Sequence, residues 1–545
     1  MPEDIRKKQN AADRLAALGC ALAAAYLTCV LIVRDLIRMR YRQLPLGWNS
    51  GFLVAAVLFT FAALFAALFL LGKRHWRGLT CWQGRRRLSL PLFAGVFAVC
   101  LAYFLLLWCA AYPGGQNPDV ETQWEQVQTL RFNDHHPVFH TLLIWLVSRV
   151  CNSYAFVLIV QAAAFAAGLA YLIAVMRAWG YPLAPLLFLA GAFILNPVTG
   201  DLMMYALKDM ALSILFLYWL AQWVEIYHSR GEWLRKPRRW IAFAVLAACI
   251  TLVRHNAILL TGPACVLVLW RYGGVRKQSL LCLLTALAIV AGVKGPLYAL
   301  LKVENPGHAY HESVGLPMTV LCTAYAEKPD ELSPETLRFM EKIAPQPVFS
   351  EAYQFGDYNS IKWHYPANEQ VDATPPMELM RLTLDTFKRH TLLSLLAVAE
   401  LTDIVWEPTG ELGNTYLGFP FWELEEQTSS VSPALRDFCN DVRSFIQRNF
   451  WNEGMNLLFC KLGFLLAALI AVWAVTLRRN GLRALWLVLP IVCYNLGTML
   501  LLCGDDYRFF HYTSLAVWPV VLMLLNGDGE PNGETLMPDG QRETK

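Results

Sequence analysis

The sequence PGGQNPDVETQWEQVQTLRFNDHHP, residues 113–137, is polar, acidic and rich in histidine, and apolar sequence flanks it on both sides. The apolar segment that follows, 138–150, is only about 13 residues long, whereas a helix needs roughly 20 residues to cross a bilayer. We therefore expect 138–150 to lie in or dip into the membrane interface without crossing. Carboxylates and imidazoles are then held at the bilayer surface, where ionisable groups usually mark a functional site.

The composition excludes an ordinary soluble protein. The chain has 545 residues, 56% of them hydrophobic, and a net charge of only +4. Several uninterrupted apolar runs reach spanning length, and elements this apolar cross a membrane as helices. Because no basic tract carries interleaved aromatic residues, nucleic-acid binding has no support.

These runs predict an all-α polytopic membrane protein with about 11–13 transmembrane helices and an extracytoplasmic loop domain. The expected location is the cell membrane, with the lipid bilayer as a partner. The candidate helices are 15–33, 52–71, 88–111, 154–176, 183–199, 209–228, 240–253, 257–270, 279–300, 456–476, 482–503 and 509–525.

The distribution of lysine and arginine predicts the orientation. Short loops on the cytoplasmic side carry an excess of these residues. The loops 73–87, 229–239, 271–277 and 478–483 are basic and are placed inside. The external segments are then 112–137, 200–208, 254–256, 301–455 and 504–508. The first loop, with Arg34, Arg38, Arg40 and Arg42, would also lie outside and disagrees with the rule, so the first hairpin is the weakest part of this topology.

This topology divides the chain into five parts. Residues 1–87 form an N-terminal hairpin and a basic cytoplasmic loop, and 88–300 form the membrane core. Residues 301–455 are too polar to span a membrane and too rich in aromatic residues for a linker, so we expect a folded extracytoplasmic domain. Helices in 456–525 and a disordered tail, 526–545, complete the chain.

Two cysteines, Cys322 and Cys439, lie well inside the polar region. They could form a disulfide there, since the compartment expected for this region is oxidising.

The predicted topology brings ionisable residues from distant parts of the sequence to helix ends on the outer side. Such convergence indicates a membrane-surface active site, although helix ends also collect polar residues for structural reasons. The residues concerned are Asp119, Glu121, Glu125, Asp134, His135, His136, His140, Asp201, Lys208, Asp209, Arg254, His255, Asp505, Asp506, Arg508 and His511.

The acidic candidates are Asp119 and Glu121, which follow the helix predicted over 88–111. A carboxylate there could act as a general base on a hydroxyl group or bind a metal ion. The structural alternative is that Asp119 is the N-cap of a surface helix in 120–131.

The two adjacent imidazoles, His135 and His136, can bind a phosphate when protonated or a metal ion when neutral. Because neighbouring side chains point in different directions, we expect one of the two to be structural. Asp134 can cap the helix that begins after Pro137.

Three separated cations are candidates for binding an anion. Lys208, followed by Asp209, opens a helix, whose N-terminus adds to a positive field. Arg254 sits in an apolar context and requires an anionic partner, for which a phosphate is suitable. Arg508 precedes the last helix. The structural alternatives are a lysine that extends to the interface and a salt bridge from Arg508 to Asp505 or Asp506. The sequence has no Walker loop and no Rossmann glycine pattern, so a nucleotide donor has no support.

Several short motifs stand at the outer helix ends: Tyr112-Pro113-Gly114, Asp119, His136-Pro137, Asn196-Pro197, Lys208-Asp209 and Arg508. In this layout the chain resembles the GT-C superfamily of integral-membrane glycosyltransferases, which includes protein O-mannosyltransferases and lipid A aminoarabinose transferases. It is most similar to an uncharacterised bacterial branch of that group. The chain departs from the group in its extra N-terminal hairpin, its His-Pro-Val sequence and its Asp-x-Glu acidic pair.

The resemblance implies transfer of a sugar from a polyprenyl-phosphate donor to a cell-envelope acceptor, on the outer face of the membrane. Asp119 would be the general base, with Glu121 and His136 as further catalytic residues. The substrate-binding residues would be His135, Lys208, Asp209, Arg254 and Arg508, with the phosphate against the three cations. No metal-ligand set is assigned, and a divalent metal stays possible as a cofactor.

Two other classes of protein fit the same pattern. A transporter would place its charged residues near the membrane midplane on broken helices. A non-enzymatic envelope assembly protein would tolerate the loss of Asp119.

Overall fold

The structure is a computed structural model that describes residues 3–33, 35, 50–73, 85–115, 117–304, 310–362, 366–408, 431–504 and 506–527. Across these ranges the chain is helical, with isolated bridges but without a β-strand. The prediction of an all-α polytopic membrane protein is confirmed. Asp505 and nearly all of the predicted disordered tail, 526–545, lie outside the described residues.

The membrane core is built from the helices before residue 301. They are α1 Glu3–Thr28, α2 Ser50–Lys73, α3 Leu90–Ala110, α4 Pro118–Thr129, α5 Val138–Ser148, α6 Tyr154–Ala178, α7 Leu183–Leu195, α8 Pro197–Met203, α9 Lys208–His228, α10 Pro237–Val253, α11 Ile258–Arg271 and α12 Arg276–Gly292. A π turn, Cys29–Val33, extends α1. A π turn, Val293–Leu297, and a last turn, Tyr298–Leu300, extend α12. The connections after α9 contain 3-10 turns at Glu232–Arg235, His255–Ala257 and Gly273–Val275.

The rest of the chain adds a helical insertion and the last membrane helices. They are α13 Gly315–Glu327, α14 Pro334–Glu341, α15 Gln346–Ala352, α16 Asn359–Lys362, α17 Ala367–Asp372, α18 Pro376–Arg389, α19 Thr391–Trp406, α20 Pro433–Phe450, α21 Glu453–Phe459, α22 Leu462–Asn480, α23 Leu485–Met499 and α24 His511–Asn526. Further 3-10 turns are Tyr310–Ser313, Pro329–Glu331, Leu482–Ala484 and Tyr507–Phe510.

Among the described residues, eight helices are long and apolar enough to cross a membrane, and up to nine if the pair α7 and α8, bent by 52°, is one span. Every predicted membrane segment contains a helix. However, α10, α11 and α23 have only 17, 14 and 15 residues. The predicted total of about 11–13 is reached only if these short helices also cross. Helix α5 has 11 residues, which agrees with the expectation that 138–150 does not span.

Helices α9 and α24 occupy the centre of the bundle. In their apolar windows 83% and 78% of residues are buried, against 6% in α2 and 6% in the segment Gly273–Leu300. Buried indole rings pack around α9, with Trp219 and Trp223 at 5.2 Å and Trp223 and Trp486 at 5.4 Å between centroids. The first residues of α9 and α24 therefore meet in the middle of the molecule's cross-section.

The insertion after residue 310 has a hydrophobic core of its own. Residues between 314 and 382 form it around Tyr325, Phe349 and Tyr358, which are fully buried. This core lies within the predicted domain 301–455. Cys503, in the loop between α23 and α24, also belongs to this second core, and its carbonyl accepts a hydrogen bond from the Asn359 amide at 3.1 Å.

The suggested Cys322–Cys439 disulfide is wrong, because both residues are free thiols. Cys322 is buried in the second core, whereas Cys439 lies on α20, which packs along α3. The thiol of Cys439 faces that of Cys109 instead. Sequence alone could not show that the two cysteines lie in different parts of the fold.

Candidate functional site

Asp119 is the second residue of the polar helix α4. The side chain of Asn117 accepts a hydrogen bond from the Val120 amide at 2.9 Å and is the N-cap, and Pro118 occupies the first helical position. The alternative interpretation of Asp119 as the N-cap is therefore wrong. Its carboxylate has no backbone group to cap and is directed to other side chains.

Two cations hold the carboxylate of Asp119. Lys208 Nζ lies 3.1 Å and Arg508 Nη1 lies 2.9 Å from the same oxygen, Oδ2. The other oxygen, Oδ1, is 3.9 Å from His136 Nε2. Burial by itself would raise the pKa of Asp119, but Lys208, Arg508 and His136 outweigh it and hold this pKa well below its usual range. Asp119 is therefore fully ionised and, in this state, a weak base.

His136 is buried and neutral at physiological pH. Burial, followed by the charge of Lys208, lowers the pKa of His136 to about 3. Since Lys208 has only protons to give, its Nζ donates to His136 Nδ1 at 2.9 Å. The remaining proton of the neutral ring is then on Nε2, the nitrogen that faces Asp119. His136 is thus oriented as a hydrogen-bond donor.

Lys208 owes its position to the start of α9, at the centre of the bundle. The next residue, Asp209, is 1% exposed and forms an ion pair with Arg254. Arg254 also donates from Nε to Asn256 Oδ1 at 2.8 Å, and its guanidinium lies 4.4 Å from the centroid of the Phe509 ring. The predicted phosphate ligand Arg254 therefore already has a buried carboxylate partner.

Arg508 joins the last membrane helix to α4. Its Nε donates to Asp506 Oδ2 at 2.6 Å, its backbone amide donates to Asp506 Oδ1 at 3.2 Å, and its Nη1 reaches Asp119. The salt bridge considered as an alternative is formed with Asp506, and it coexists with the bond to Asp119. Asp506 thus fixes the arginine while leaving one of its amino groups for the shared site.

We call the set of Asp119, His136, Lys208, Asp209, Arg254, Asp506 and Arg508 the charge cluster. It contains three cations and three carboxylates, so its formal charge is balanced when all are ionised. Its members lie where helices begin or break. Asp119 lies at the start of α4, Lys208 and Asp209 at the start of α9, and Asp506 and Arg508 at the Tyr507–Phe510 turn. His136 precedes α5, and Arg254 lies at the break between α10 and α11. The expectation that distant sequence segments meet at one layer of helix ends is therefore met.

Two predicted site residues lie apart from the cluster. Glu121 is exposed on the first turn of α4. His135 is also exposed, and its ring contacts that of His136 edge to face at 4.7 Å between centroids. The structure thus directs Asp119 and His136 into the cluster and leaves their neighbours Glu121 and His135 outside it.

Other ionisable residues at the same layer have structural contacts. Both ring nitrogens of His511 are within 2.9 Å of hydroxyl groups, those of Thr199 and Ser213. Arg443 pairs with Asp201 at 3.3 Å and so ties α20 to α8. Asp134 accepts a hydrogen bond from the amide of Val138, the first residue of α5, at 3.3 Å, but the N-cap position itself is occupied by Pro137.

Sequence reasoning missed Phe509, whose ring lies beneath both Arg254 and Arg508, at 4.4 and 5.2 Å. A cation over an aromatic face is stabilised by the ring quadrupole. The only signal for Phe509 in the sequence was its position next to Arg508.

A metal ion has few candidate ligands at the cluster. Within the ranges that the structure describes, no three His, Cys, Asp or Glu side chains are arranged to hold one. Asp119 and His136 are the two potential ligands that approach each other, and Lys208 contacts both.

The fold and the cluster define a multi-pass membrane protein with a buried ion-pair network at one layer of helix ends. A family model described as "Family of unknown function (DUF6020)" matches residues 123–363. The match contains His136, Lys208 and Arg254, whereas Asp119 and Arg508 lie outside it. No curated protein and no solved structure matches the chain.

Proposed function

We propose that this protein transfers a sugar from a polyprenyl-phosphate donor to a cell-envelope acceptor, with Asp119 as the general base. The observation that carries the proposal is the position of Asp119 Oδ2 between Lys208 and Arg508, at 3.1 and 2.9 Å. A base and two cations within one hydrogen-bonded group are what such a reaction requires: one group to accept a proton and two to hold a leaving phosphate.

Because the pKa of Asp119 is depressed, the carboxylate becomes an effective base only if donor binding raises that pKa. An anionic phosphate competes with Asp119 for Lys208 and Arg508. When these cations turn to the phosphate, the main causes that lower the pKa of Asp119 are reduced, and the carboxylate becomes a stronger base. Donor binding thereby activates the base.

The chemical step then follows from this exchange. The acceptor hydroxyl gives its proton to Asp119 as its oxygen bonds to the anomeric carbon of the sugar. The bond between that carbon and the phosphate oxygen breaks, and the lipid phosphate leaves with the bonding electrons. Lys208 and Arg508 stabilise the negative charge on the phosphate. His136, with its proton on Nε2, faces the second oxygen of Asp119, Oδ1, at 3.9 Å, a distance that has to shorten before a hydrogen bond forms.

The position of the charge cluster at one end of the spanning helices supports a lipid-linked donor that binds on the outer side of the membrane. The cluster lies where spanning helices begin, so a phosphate can reach it while its tail stays between helices. At the opposite end of α9 the chain is basic, with Arg235, Lys236, Arg238 and Arg239. By the positive-inside rule that end is cytoplasmic, and the cluster is extracytoplasmic.

The test is sugar transfer by Asp119→Asn and Arg508→Ala in a strain that lacks the wild-type gene. We expect each variant to lower the turnover at least about 100-fold, the usual contribution of a positioned base or charge. Glu125→Gln is the matched control, because Glu125 is exposed on the same helix. Glycolipid and glycan profiling of the deletion strain identifies the product to assay. Normal transfer by both variants at wild-type protein level would remove the proposal.

A transporter is a second candidate, and one observation favours it. Helices α7 and α8 form a bent pair broken at Asn196-Pro197, with the buried Asp201 on the second half. Discontinuous helices of this kind form substrate sites in transporters. Proteoliposomes separate the two functions: a transporter moves the lipid-linked or free solute across a sealed membrane without an acceptor, whereas a transferase requires the acceptor for turnover.

A further inference from the structure

Lys294 places a positive charge on a helix that faces lipid. It lies in the π turn that extends α12, and its side chain is exposed. In the spanning segment Gly273–Leu300, only 6% of the apolar window is buried in the protein. An ionisable residue on such a surface is costly and marks a functional site by default, unless it simply extends to the interface.

The contacts of Lys294 distinguish these two interpretations. Its Nζ lies 3.2 Å from His255 Nδ1 and donates to that ring, so the ammonium group is turned toward the protein. Because an ammonium group can only donate, Nδ1 of His255 is the acceptor of this bond, a role the ring can take only in its neutral form. His255 follows Arg254 directly. The lysine is therefore attached to the edge of the charge cluster through an uncharged neighbour.

The end of α12 is also fastened to the loop that carries His136. The Tyr298 hydroxyl donates to Asp134 Oδ1 at 3.1 Å, and the Glu304 amide donates to the Phe132 carbonyl at 2.8 Å. The π turn Val293–Leu297 contains Pro296, and such irregular turns occur often at functional sites. The turn is thus attached to His255 and, through the residues that follow it, to the loop that carries His136, while none of its own residues is buried.

We propose that Lys294 is the first binding site for the phosphate headgroup of a membrane lipid, at a lateral entrance to the charge cluster. Lys294 supplies the charge, and His255 orients it. The headgroup passes from there to Lys208 and Arg508, which lie deeper and are held by Asp119 until it arrives. That the lipid is the sugar donor rests on the proposed function, whereas the binding of a lipid phosphate at Lys294 does not.

The test measures lipid retention by the purified full-length protein. Dioleoyl phosphatidic acid is offered in mixed detergent micelles with phosphatidylcholine, and bound lipid is counted by native mass spectrometry. Lys294→Gln should retain about fivefold less phosphatidic acid, the loss expected for one lysine beside an anionic headgroup. Lys277→Gln is the matched control, because Lys277 is exposed at the opposite end of the same helix. It should retain the lipid like the wild type.

The outcomes distinguish a lipid site from a folding defect and from a site for free phosphate. Lys294→Arg should restore most of the retention, which excludes a folding defect of the glutamine variant. Wild-type retention by Lys294→Gln, or an equal loss in Lys277→Gln, would overturn the proposal. Displacement of phosphatidic acid by an equal concentration of inorganic phosphate would assign the site to free phosphate and would also overturn it. A fully active Asp119→Asn would remove the proposed function but leave this result unaffected.

Discussion

At the residue scale, one ammonium group determines the state of two neighbours. Lys208 donates to Asp119 Oδ2 and to His136 Nδ1, at 3.1 and 2.9 Å. The first bond helps to keep the carboxylate ionised, and the second disfavours a proton on the imidazole. Because both bonds come from a single flexible side chain, an anion that attracts Lys208 changes both neighbours together.

This arrangement predicts a pH dependence of stability that belongs to His136. Its folded-state pKa of about 3 lies below the value of about 6.5 in an unfolded chain. Between these values only the unfolded chain takes up the proton, so the folded state loses stability as pH falls from about 6.5 toward 3. The free energy of unfolding of the wild type should thus fall faster than that of His136→Gln below pH 6.5, by at most about 1.4 kcal/mol per pH unit, and its thermal midpoint should fall with it.

The measurement is thermal unfolding in detergent, followed by tryptophan fluorescence between pH 5 and 8. His135→Gln is the control, because that ring is exposed next to the buried one. We expect it to follow the wild type, and above pH 7 all three curves should run parallel. An unchanged slope in His136→Gln would contradict the assignment of His136 as a buried neutral imidazole.

The sequence predicted which residue types meet, but not which member of each pair points inward. Asp119 and Glu121 are two positions apart on one helix, so they project in nearly opposite directions. The apolar residues of this helix, Val120, Trp124 and Val127, lie midway between the two carboxylates, so the pattern does not show which of them is covered. The pairing of Arg254 with Asp209 was equally inaccessible, since it depends on how the α10–α11 break packs against α9.

At the scale of elements, the loop between α23 and α24 connects the second core to the charge cluster. Gly315 lies at the start of α13, and a Cβ atom there would overlap the carbonyl of Leu502. The amide of Asn359 binds the next carbonyl, that of Cys503, at 3.1 Å. Asp506 and Arg508 follow within a few residues. The insertion therefore positions the arginine that contacts Asp119.

Gly315→Ala tests this connection. The added methyl group must displace the backbone of the loop, at a cost of about 1–3 kcal/mol, as in other overpacked sites. We expect a lower thermal midpoint and a loss of sugar transfer that is not additive with Arg508→Ala, because both changes act on the same contact. Gly95→Ala is the control, since no atom lies within 4 Å of a Cβ built there. Additive losses would show that Gly315 acts independently of Arg508.

At the scale of the whole molecule, apolar runs were sufficient to locate the helices because their backbone groups must bond internally in lipid. They were not sufficient to give the number of crossings. Helices α10, α11 and α23 are shorter than the roughly 20 residues that a bilayer requires. Helix α7 bends into α8 at Asn196-Pro197. Hydropathy does not distinguish a short crossing from a helix that ends inside the protein. The second core was expected from aromatic content, but its hold on Cys503 depends on contacts remote in sequence.

The orientation of the molecule is the last prediction, and it follows from charge. If the basic connection between α9 and α10 faces the cytoplasm, then α4 and the second core face outward. An impermeant maleimide should label intact cells at Glu125→Cys and Met377→Cys but not at Arg238→Cys or Arg276→Cys. All four side chains are exposed, so access depends only on the side of the membrane. The background carries serine at Cys29, Cys81 and Cys151, and permeabilised cells provide the control for reactivity. Labelling of position 238 in intact cells with none at 125 would place the charge cluster in the cytoplasm, where an envelope acceptor cannot reach it.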